Sequence, residues 1–211
     1  MKKRIAIIIP CTNNESTIGS IIDDCRLSIP FADIIICDNN CTDNTVKIAE
    51  LYNVEILEND SFDRREVIKS MFAYCYMRNY DYIALVEPNE PFDLRGLKQE
   101  YKLMIRENYD MLVGIRSNSK FEPLIKGMAK KLIRCHPNIE DPLSTYRIFS
   151  RRFIGSYCPI ESDIPLEIDL NINAVKSGLS IASIPVLYNK KVKRLRIRDI
   201  LALRREIKKF I

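Results

Sequence analysis

The chain has 211 residues, of which 46% are hydrophobic and 29% are charged. This balance predicts a folded globular protein of about one domain and argues against intrinsic disorder. No apolar run is long enough for a bilayer-spanning helix, and the run after the basic N-terminus stops at Pro10, too early for a signal peptide, so we expect an intracellular, cytoplasmic protein.

Strands and helices alternate along the first half of the chain. Continuous apolar runs predict buried strands at residues 5–9, 33–37, 54–57, 82–86 and 111–114. Helical spacing predicts the intervening helices, which begin at Ser16 or Thr17, at Thr42 or Asp43, at Arg64 and at Leu94. This alternation predicts an α/β fold, a doubly wound and mostly parallel sheet flanked by helices.

The alternation loosens after Arg116. We expect a helix over residues 121–135, a strand over 144–149, a helix over 166–176 that ends at Gly178, and a strand over 181–187. Pro185 favours an edge position for that last strand, because proline cannot donate to a neighbouring strand. The organisation predicted is one domain over residues 1–189 and an appended tail over 190–211.

Two residue types exclude other classes of site. The seven cysteines contain no CxxC pair, which argues against zinc and against a disulfide framework. His136 is the only histidine, so a His-based metal site is excluded and a Ser-His-Asp triad has a single candidate.

Polar and acidic segments follow the predicted strands. Ligands of open parallel sheets bind beyond the carboxyl ends of the strands, so these segments are the candidate site. None of them is a glycine-rich phosphate loop, which disfavours a nicotinamide dehydrogenase or a P-loop NTPase. An acidic pocket that holds a diphosphate needs a divalent cation between the two.

The strand-end segments resemble family 2 glycosyltransferases of the GT-A fold. IPCTNNESTI (residues 9–18) is similar to the family's first motif, with Thr12 where an aromatic residue is usual, and IICDNNCTDNT (35–45) is similar to the second. DPLSTYRIFSRR (141–152) and AVKSGLSIASIPVLY (174–188) resemble the subgroup that glycosylates polyprenyl phosphates, typified by dolichol-phosphate mannose synthase. The resemblance covers essentially the whole chain.

The resemblance implies sugar transfer from a UDP- or GDP-sugar and assigns roles to residues. The residues it places at the donor or at the phosphates are Pro10, Thr12, Asn14, Glu15, Asp38, Asn40, Arg64, Arg65, Pro88, Arg116, Ser144 and Arg147. Asp38 is the position that accepts from the nucleobase. Arg116 and Arg147 match positions near the phosphates of donor or acceptor, where an arginine fork suits the geometry; a surface strand residue is the alternative for Arg147.

The metal motif departs from the family. The family's DxD motif, which holds Mg²⁺ or Mn²⁺ against the diphosphate, corresponds here to Glu87-Pro88-Asn89. Glu87 keeps a charge and Asn89 keeps only a neutral oxygen, so a weakened metal site is expected. Glu90 and Asp93 lie close enough in sequence to help, and a simple polar turn is the alternative.

Several positions at which the family often has glycine hold other residues in this chain. Asn40 and Asn44 stand at glycine positions of the second motif, and asparagine tolerates positive φ best after glycine. The Gly-Lys-Gly stretch usual before the third helix is replaced by residues 62–65, where Arg64 or Arg65 can reach a phosphate or simply begin a solvated helix.

The family position for a catalytic base falls at Glu167, with Asp169 nearby. A hydroxyl acceptor on a glycan or protein needs such a base, whereas a polyprenyl phosphate is already an anion and needs none. The lipid phosphate is the favoured acceptor, with the hydroxyl acceptor second. A non-catalytic protein that binds a nucleotide or a membrane partner through the same fold is the rival from another class.

The tail carries all of the excess positive charge. Residues 190–211 hold ten basic and two acidic residues, whereas the whole chain has a net charge of +5, so the rest of the chain is mildly acidic. The apolar residues between them have amphipathic helical spacing, the profile of a helix in a membrane interface. Packing on the domain or on a second subunit is the alternative, and nucleic acid is a weaker one.

Overall fold

The computed structural model describes residues 3–61, 63–90, 92–116, 138–160 and 164–188. The helix expected over residues 121–135, His136 and the tail over 190–211 lie outside the described residues. No helix among the described residues is long and apolar enough to cross a bilayer.

The described strands form one mixed sheet. They are β1 (Ile5–Cys11), β2 (Asp33–Asp38), β3 (Glu55–Glu58), β4 (Tyr82–Leu85), β5 (Met111–Arg116), β6 (Arg147–Ser150) and β7 (Ile181–Val186). Their order is β3-β2-β1-β4-β6-β5-β7, and only β6 runs antiparallel to its neighbours. The predicted mostly parallel α/β sheet is confirmed, and β7 lies at the edge, as Pro185 indicated.

Helices cover both faces of the sheet. They are α1 (Ile18–Ser28), α2 (Thr45–Leu51), α3 (Arg64–Met77), α4 (Leu97–Glu107), α5 (Arg151–Ser156) and α6 (Leu166–Lys176), with a 3₁₀ turn over Leu94–Gly96 before α4. Successive β1 residues alternate between two cores, with Ala6 and Ile8 packed towards α3 and Ile5, Ile7 and Ile9 towards α1. Burial on both faces explains why β1 is apolar without interruption.

Several element ends differ from the sequence prediction. Strand β6 begins at Arg147 instead of residue 144. The N-cap of α2 is Asn44, not Thr42 or Asp43, although the Asp43 carboxylate accepts from the Thr45 amide at 2.9 Å. Gly178 follows α6 with a φ of 61°, which completes the predicted helix end, because its amide donates to Val175 at 3.1 Å.

The strand order creates a switch point between β1 and β4. The chain moves outward from β1 to β3 and then returns to pair β4 with the other side of β1. The loops that follow β1 and β4 therefore leave the sheet in diverging directions, and the gap between them is where such folds bind ligands. Because β6 is antiparallel, its first residue Arg147 pairs with Leu85 at this same edge.

Candidate active site

The loop after β1 is organised by Asn14. This side chain is 3% exposed, and its Oδ1 accepts from the Thr12 amide at 2.8 Å. Its Nδ2 donates to Asn89 Oδ1 at 3.0 Å, across the switch point. Its backbone amide donates to Thr45 Oγ1 at 2.7 Å. Asn14 thus joins the loops that follow β1, β2 and β4.

Glu15 is hydrogen-bonded to the loop after β2. Its Oε2 accepts from both the amide and the side-chain Nδ2 of Asn44 at 3.1 Å, and its own amide donates to Asp43 Oδ2 at 3.0 Å. The structure therefore shows Glu15 as a residue that shapes the loop after β2. Asn13 does similar work, since its Oδ1 accepts from the Thr42 amide at 2.7 Å.

Asp38 ends β2 beside the end of β1, where Cys11 is its partner in the pairing. Its Oδ1 accepts from the Cys41 amide at 2.9 Å, which fixes the carboxylate at the start of the loop. Asn40 has a φ of 55°, so it takes the left-handed conformation expected of a glycine substitute. Asn44 does not, with a φ of −85°, and that part of the prediction is wrong because Asn44 occupies the N-cap position of α2, where its side chain bonds to Glu15 and not to the helix.

The segment after β4 carries Glu87, Pro88 and Asn89. Pro88 is buried, the Asn89 side chain lies at the surface, and the Glu87 side chain is 15% exposed. Burial raises the pKa of the Glu87 carboxyl, and the positive charge of Arg64 acts against that rise. Glu90 accepts from the Tyr188 hydroxyl at 2.6 Å, and Asp93 accepts from the Arg95 amide at 3.0 Å, so these two acids have structural partners.

Arg64 links two of the predicted site residues. It is the first residue of α3, and its guanidinium donates through Nη2 to Glu87 Oε1 and through Nη1 to Glu167 Oε1, the latter at 2.9 Å. Burial alone would lower the pKa of Arg64, but the two carboxylates outweigh it and raise that pKa. Residues 64, 87 and 167, which are far apart in sequence, thus form one charged cluster at the end of β4.

Arg65 and Asp169 face a different part of the molecule. Arg65 donates to the Ile160 and Ile164 carbonyls at 3.4 Å. Asp169 is fully buried, and its Oδ2 accepts from the Tyr157 hydroxyl at 2.8 Å. Burial raises the pKa of Asp169. Of the two predicted catalytic acids, the structure brings Glu167 to the charged cluster and not Asp169.

Arg147 lies inside the protein. It is 1% exposed, and its guanidinium donates to Asn171 Oδ1 at 2.7 Å and to the carbonyls of Ser144, Pro142 and Glu167. Burial lowers its pKa to about 10, so it stays cationic at neutral pH. The surface-strand interpretation of Arg147 is wrong, because β6 sits between two strands instead of at an edge. Ser144 is fully buried beside it.

Arg116 forms a fork with Asp141. Its Nε and Nη2 donate to the two carboxylate oxygens at 2.8 and 2.7 Å, and both side chains are at most 9% exposed. The pair joins the end of β5 to the segment that leads into β6. Sequence reasoning did not pair these residues, although Asp141 stood in a motif that it had singled out; an acidic residue in a loop gives no signal of which arginine it meets.

The residues after β4 fit a divalent cation only in part. Glu87 supplies a carboxylate and Asn89 an amide oxygen, both of them hard ligands, but no group of three or more acidic, histidine or cysteine residues within the described ranges forms a complete metal site. Magnesium-type ions ordinarily complete their coordination with substrate phosphates and water. The donor set thus fits a metal that arrives with a phosphorylated ligand.

A mixed, mostly parallel sheet with acidic and amide-rich loops at its switch point defines an α/β protein whose candidate ligand site lies beyond the carboxyl ends of the strands. A sequence model of glycosyl transferase family 2 matches residues 6–156. The chain belongs to this family of glycosyltransferases.

A protein of known sequence and an enzyme of known structure are both similar to this chain. Protein RfbJ of Shigella flexneri is 30% identical over 115 residues, which is 54% of this chain and 87% of that relative. Glucosyl-3-phosphoglycerate synthase from Mycobacterium tuberculosis, in complex with Mn²⁺, UDP and glucosyl-3-phosphoglycerate, superposes with a TM-score of 0.73 at 18% identity, covering 97% of this chain and 77% of that one. The same enzyme with UDP alone gives a TM-score of 0.72 at 20% identity, with the same two coverages. The likeness to these solved structures shows the GT-A fold.

Proposed function

We propose that the chain transfers a sugar from a nucleotide diphosphate sugar to a hydroxyl-bearing acceptor, with Glu167 as the general base. The observation that carries the proposal is the meeting of Glu87, Arg64 and Glu167 in one cluster at the switch point. Membership of the family supplies the reaction class. This cluster supplies a carboxylate that could hold a metal ion, a candidate base and a cation at the place where such folds bind their ligands.

The donor side would be built by the first two loops. Asp38 would accept from the nucleobase, while Thr12, Asn14 and Asn40 shape the loops around it. Glu87 and Asn89 would hold Mg²⁺ or Mn²⁺, which neutralises charge on the diphosphate when it is bound. Arg64 lies close enough to Glu87 to reach the same phosphates. Pro10 and Pro88 stiffen the two segments that lead to these residues.

The acceptor side would use Glu167. Its side chain is 11% exposed and points to the same guanidinium as Glu87, so a hydroxyl bound there has a carboxylate at hand. Asp169 would act as a positioning residue, since its carboxylate anchors the segment after α5 through Tyr157. Arg147 would hold the first turn of α6 through the Glu167 carbonyl, at 3.2 Å.

A polyprenyl phosphate acceptor is the second candidate, favoured by the basic amphipathic pattern of residues 190–211. Such a tail would meet the acceptor at the cytoplasmic face of an anionic membrane. Against it, Arg116 donates to Asp141 and Arg147 donates to internal carbonyls. The two arginines expected near the phosphates of donor or acceptor are thus engaged inside the protein. Sedimentation with vesicles of anionic lipid, compared with neutral vesicles, distinguishes the two: binding only to the anionic vesicles supports the lipid acceptor.

Calorimetry with UDP and with GDP, each with and without Mn²⁺, tests the proposed function. Metal-dependent binding of one nucleotide is expected and identifies the donor class. Hydrolysis of the corresponding nucleotide sugar by the wild type, lost in Glu87→Ala, would then show catalysis. A folded protein that binds neither nucleotide would contradict the proposal and favour a non-catalytic role for the same fold.

A further inference from the structure

Arg64 stands between two carboxylates that the proposed function gives to different tasks. Its Nη1 lies 2.9 Å from Glu167 Oε1, and its Nη2 donates to Glu87 Oε1. The carboxylate side chains are 11% and 15% exposed, whereas the Arg64 side chain is 42% exposed. The two acids are thus held in place, and the cation between them is the member of the cluster that reaches solvent.

In this arrangement Arg64 opposes the binding of a divalent cation at Glu87. A metal ion on Glu87 would meet a guanidinium that already uses one oxygen of the same carboxylate. Two cations at one mostly buried carboxylate repel each other strongly. The metal is therefore disfavoured on Glu87 until Arg64 has another anion to bind.

A diphosphate is the anion that fits. The guanidinium fork matches phosphate oxygens in bidentate geometry. Arg64 is also the first residue of α3, and the dipole at the N-terminus of a helix favours negative charge. Asp63 accepts from the Arg65 amide and so caps this helix, which fixes where the Arg64 side chain begins.

We propose that Arg64 is a positioning cation that occupies Glu87 and Glu167 in the donor-free protein and transfers to the diphosphate when the nucleotide arrives with its metal ion. This inference rests on the proposed function. It has two consequences. Metal alone binds weakly, and Glu167 loses its ion pair only when a donor is present, so the base becomes available in a loaded site.

The test compares the wild type with Arg64→Gln, Arg64→Lys and Lys69→Gln. Arg64→Gln removes the charge and keeps hydrogen-bonding groups, whereas Arg64→Lys keeps a charge. Lys69→Gln is the matched control, because Lys69 is an exposed cation on the same helix whose partner is Glu66 at 3.4 Å. Mn²⁺ binding without nucleotide is followed by the paramagnetic resonance signal of free Mn²⁺. UDP binding at saturating Mn²⁺ is followed by calorimetry, and circular dichroism checks the fold of each variant.

The two measurements should move in opposite directions. Arg64→Gln should bind Mn²⁺ alone at least about tenfold more tightly than the wild type, because a repelling charge is gone. The same variant should bind UDP about tenfold more weakly, because a phosphate fork is lost. The Mn²⁺ affinity of Arg64→Lys should lie nearer to that of the wild type than the affinity of Arg64→Gln does. Lys69→Gln should match the wild type in both measurements.

Several outcomes would overturn the inference. Equal Mn²⁺ affinity in the wild type and Arg64→Gln, including no detectable binding by either, would show that Arg64 does not oppose the metal. Unchanged UDP affinity in Arg64→Gln would show that it does not move to the diphosphate. Absence of both UDP and GDP binding by the wild type, with the Mn²⁺ difference intact, would instead contradict the proposed function.

Discussion

Asn14 donates from Nδ2 to Oδ1 of Asn89 at 3.0 Å, and this hydrogen bond spans the gap between the loops after β1 and β4. The two residues are far apart in sequence, and each belongs to a different motif. Because the gap is the switch point of the sheet, the bond sets the spacing between the loop proposed to shape the nucleotide site and the segment proposed to hold the metal. The loop after β1 therefore helps to hold the segment after β4 in position.

Breaking this bond should cost stability. In Asn14→Ala the Thr12 amide and Asn89 Oδ1 both lose their hydrogen bond to the Asn14 side chain. We therefore expect the free energy of unfolding to fall by about 1–3 kcal/mol. Urea denaturation of Asn14→Ala, Asn89→Ala and the double variant measures the coupling, which should be about 1 kcal/mol. Strictly additive single effects would show that the bond contributes nothing.

Asp38 should contribute to nucleotide affinity but little to the stability of the fold. Asp38→Asn keeps an oxygen for the Cys41 amide and replaces the other carboxylate oxygen with a donor, so binding of UDP should weaken about tenfold while the unfolding midpoint changes little. Calorimetry measures the affinity. Asp24→Asn removes the same charge from an exposed position on α1 and should leave UDP binding unchanged. Equal losses in the two variants would point to overall charge instead of a nucleobase contact.

Arg147 should behave as a structural residue. Arg147→Met leaves the carbonyls of Pro142, Ser144 and Glu167 and the Asn171 amide oxygen without this donor, so we expect a loss of about 3 kcal/mol or more in the free energy of unfolding. Arg147→Lys should recover only part of that loss, since an ammonium has no planar fork. Chemical denaturation checks both. Full stability combined with lost nucleotide or acceptor binding would return Arg147 to the phosphate role that the resemblance implies.

The sheet was predictable from sequence because local chemistry determines it. The apolar runs that became β1, β2 and β4 are buried on both faces, and a run of that kind has few other stable arrangements. The strand-end loops were predictable for the same reason: once the strands are parallel, Asn14 and Asp38 must lie at one edge.

The buried ionic groups were not predictable, because they depend on how β6 is inserted. An antiparallel strand between β4 and β5 places Arg147 under the site and brings Asp141 to Arg116. Nothing in the alternation of residues 144–150 gives the direction of that strand or its neighbours. The same limit applies to Glu167, whose link to Arg64 joins helices that are about a hundred residues apart in the chain.

Glu100 should make stability depend on pH. It is 8% exposed on α4 and accepts from the Tyr146 hydroxyl, and burial raises the pKa of its carboxyl from 4.5 to about 7. Because that pKa is higher in the folded chain than in the unfolded one, ionisation disfavours the folded state. The contribution of Glu100 to the free energy of unfolding should therefore be constant below the unfolded pKa. It should fall as pH rises towards about 7 and be constant again above that pH.

The matched variant is Glu100→Gln, which keeps an acceptor for Tyr146 and does not titrate. Relative to this variant, the wild type should lose up to about 3 kcal/mol of unfolding free energy between about pH 5 and about pH 8. Urea denaturation of both proteins at the two pH values measures the difference, and other titrating groups cancel between them. A wild-type-to-variant difference that stays constant with pH would mean that Glu100 ionises as readily in the fold as in the unfolded chain. That result would imply that water or a rearranged Tyr146 solvates the carboxylate in solution.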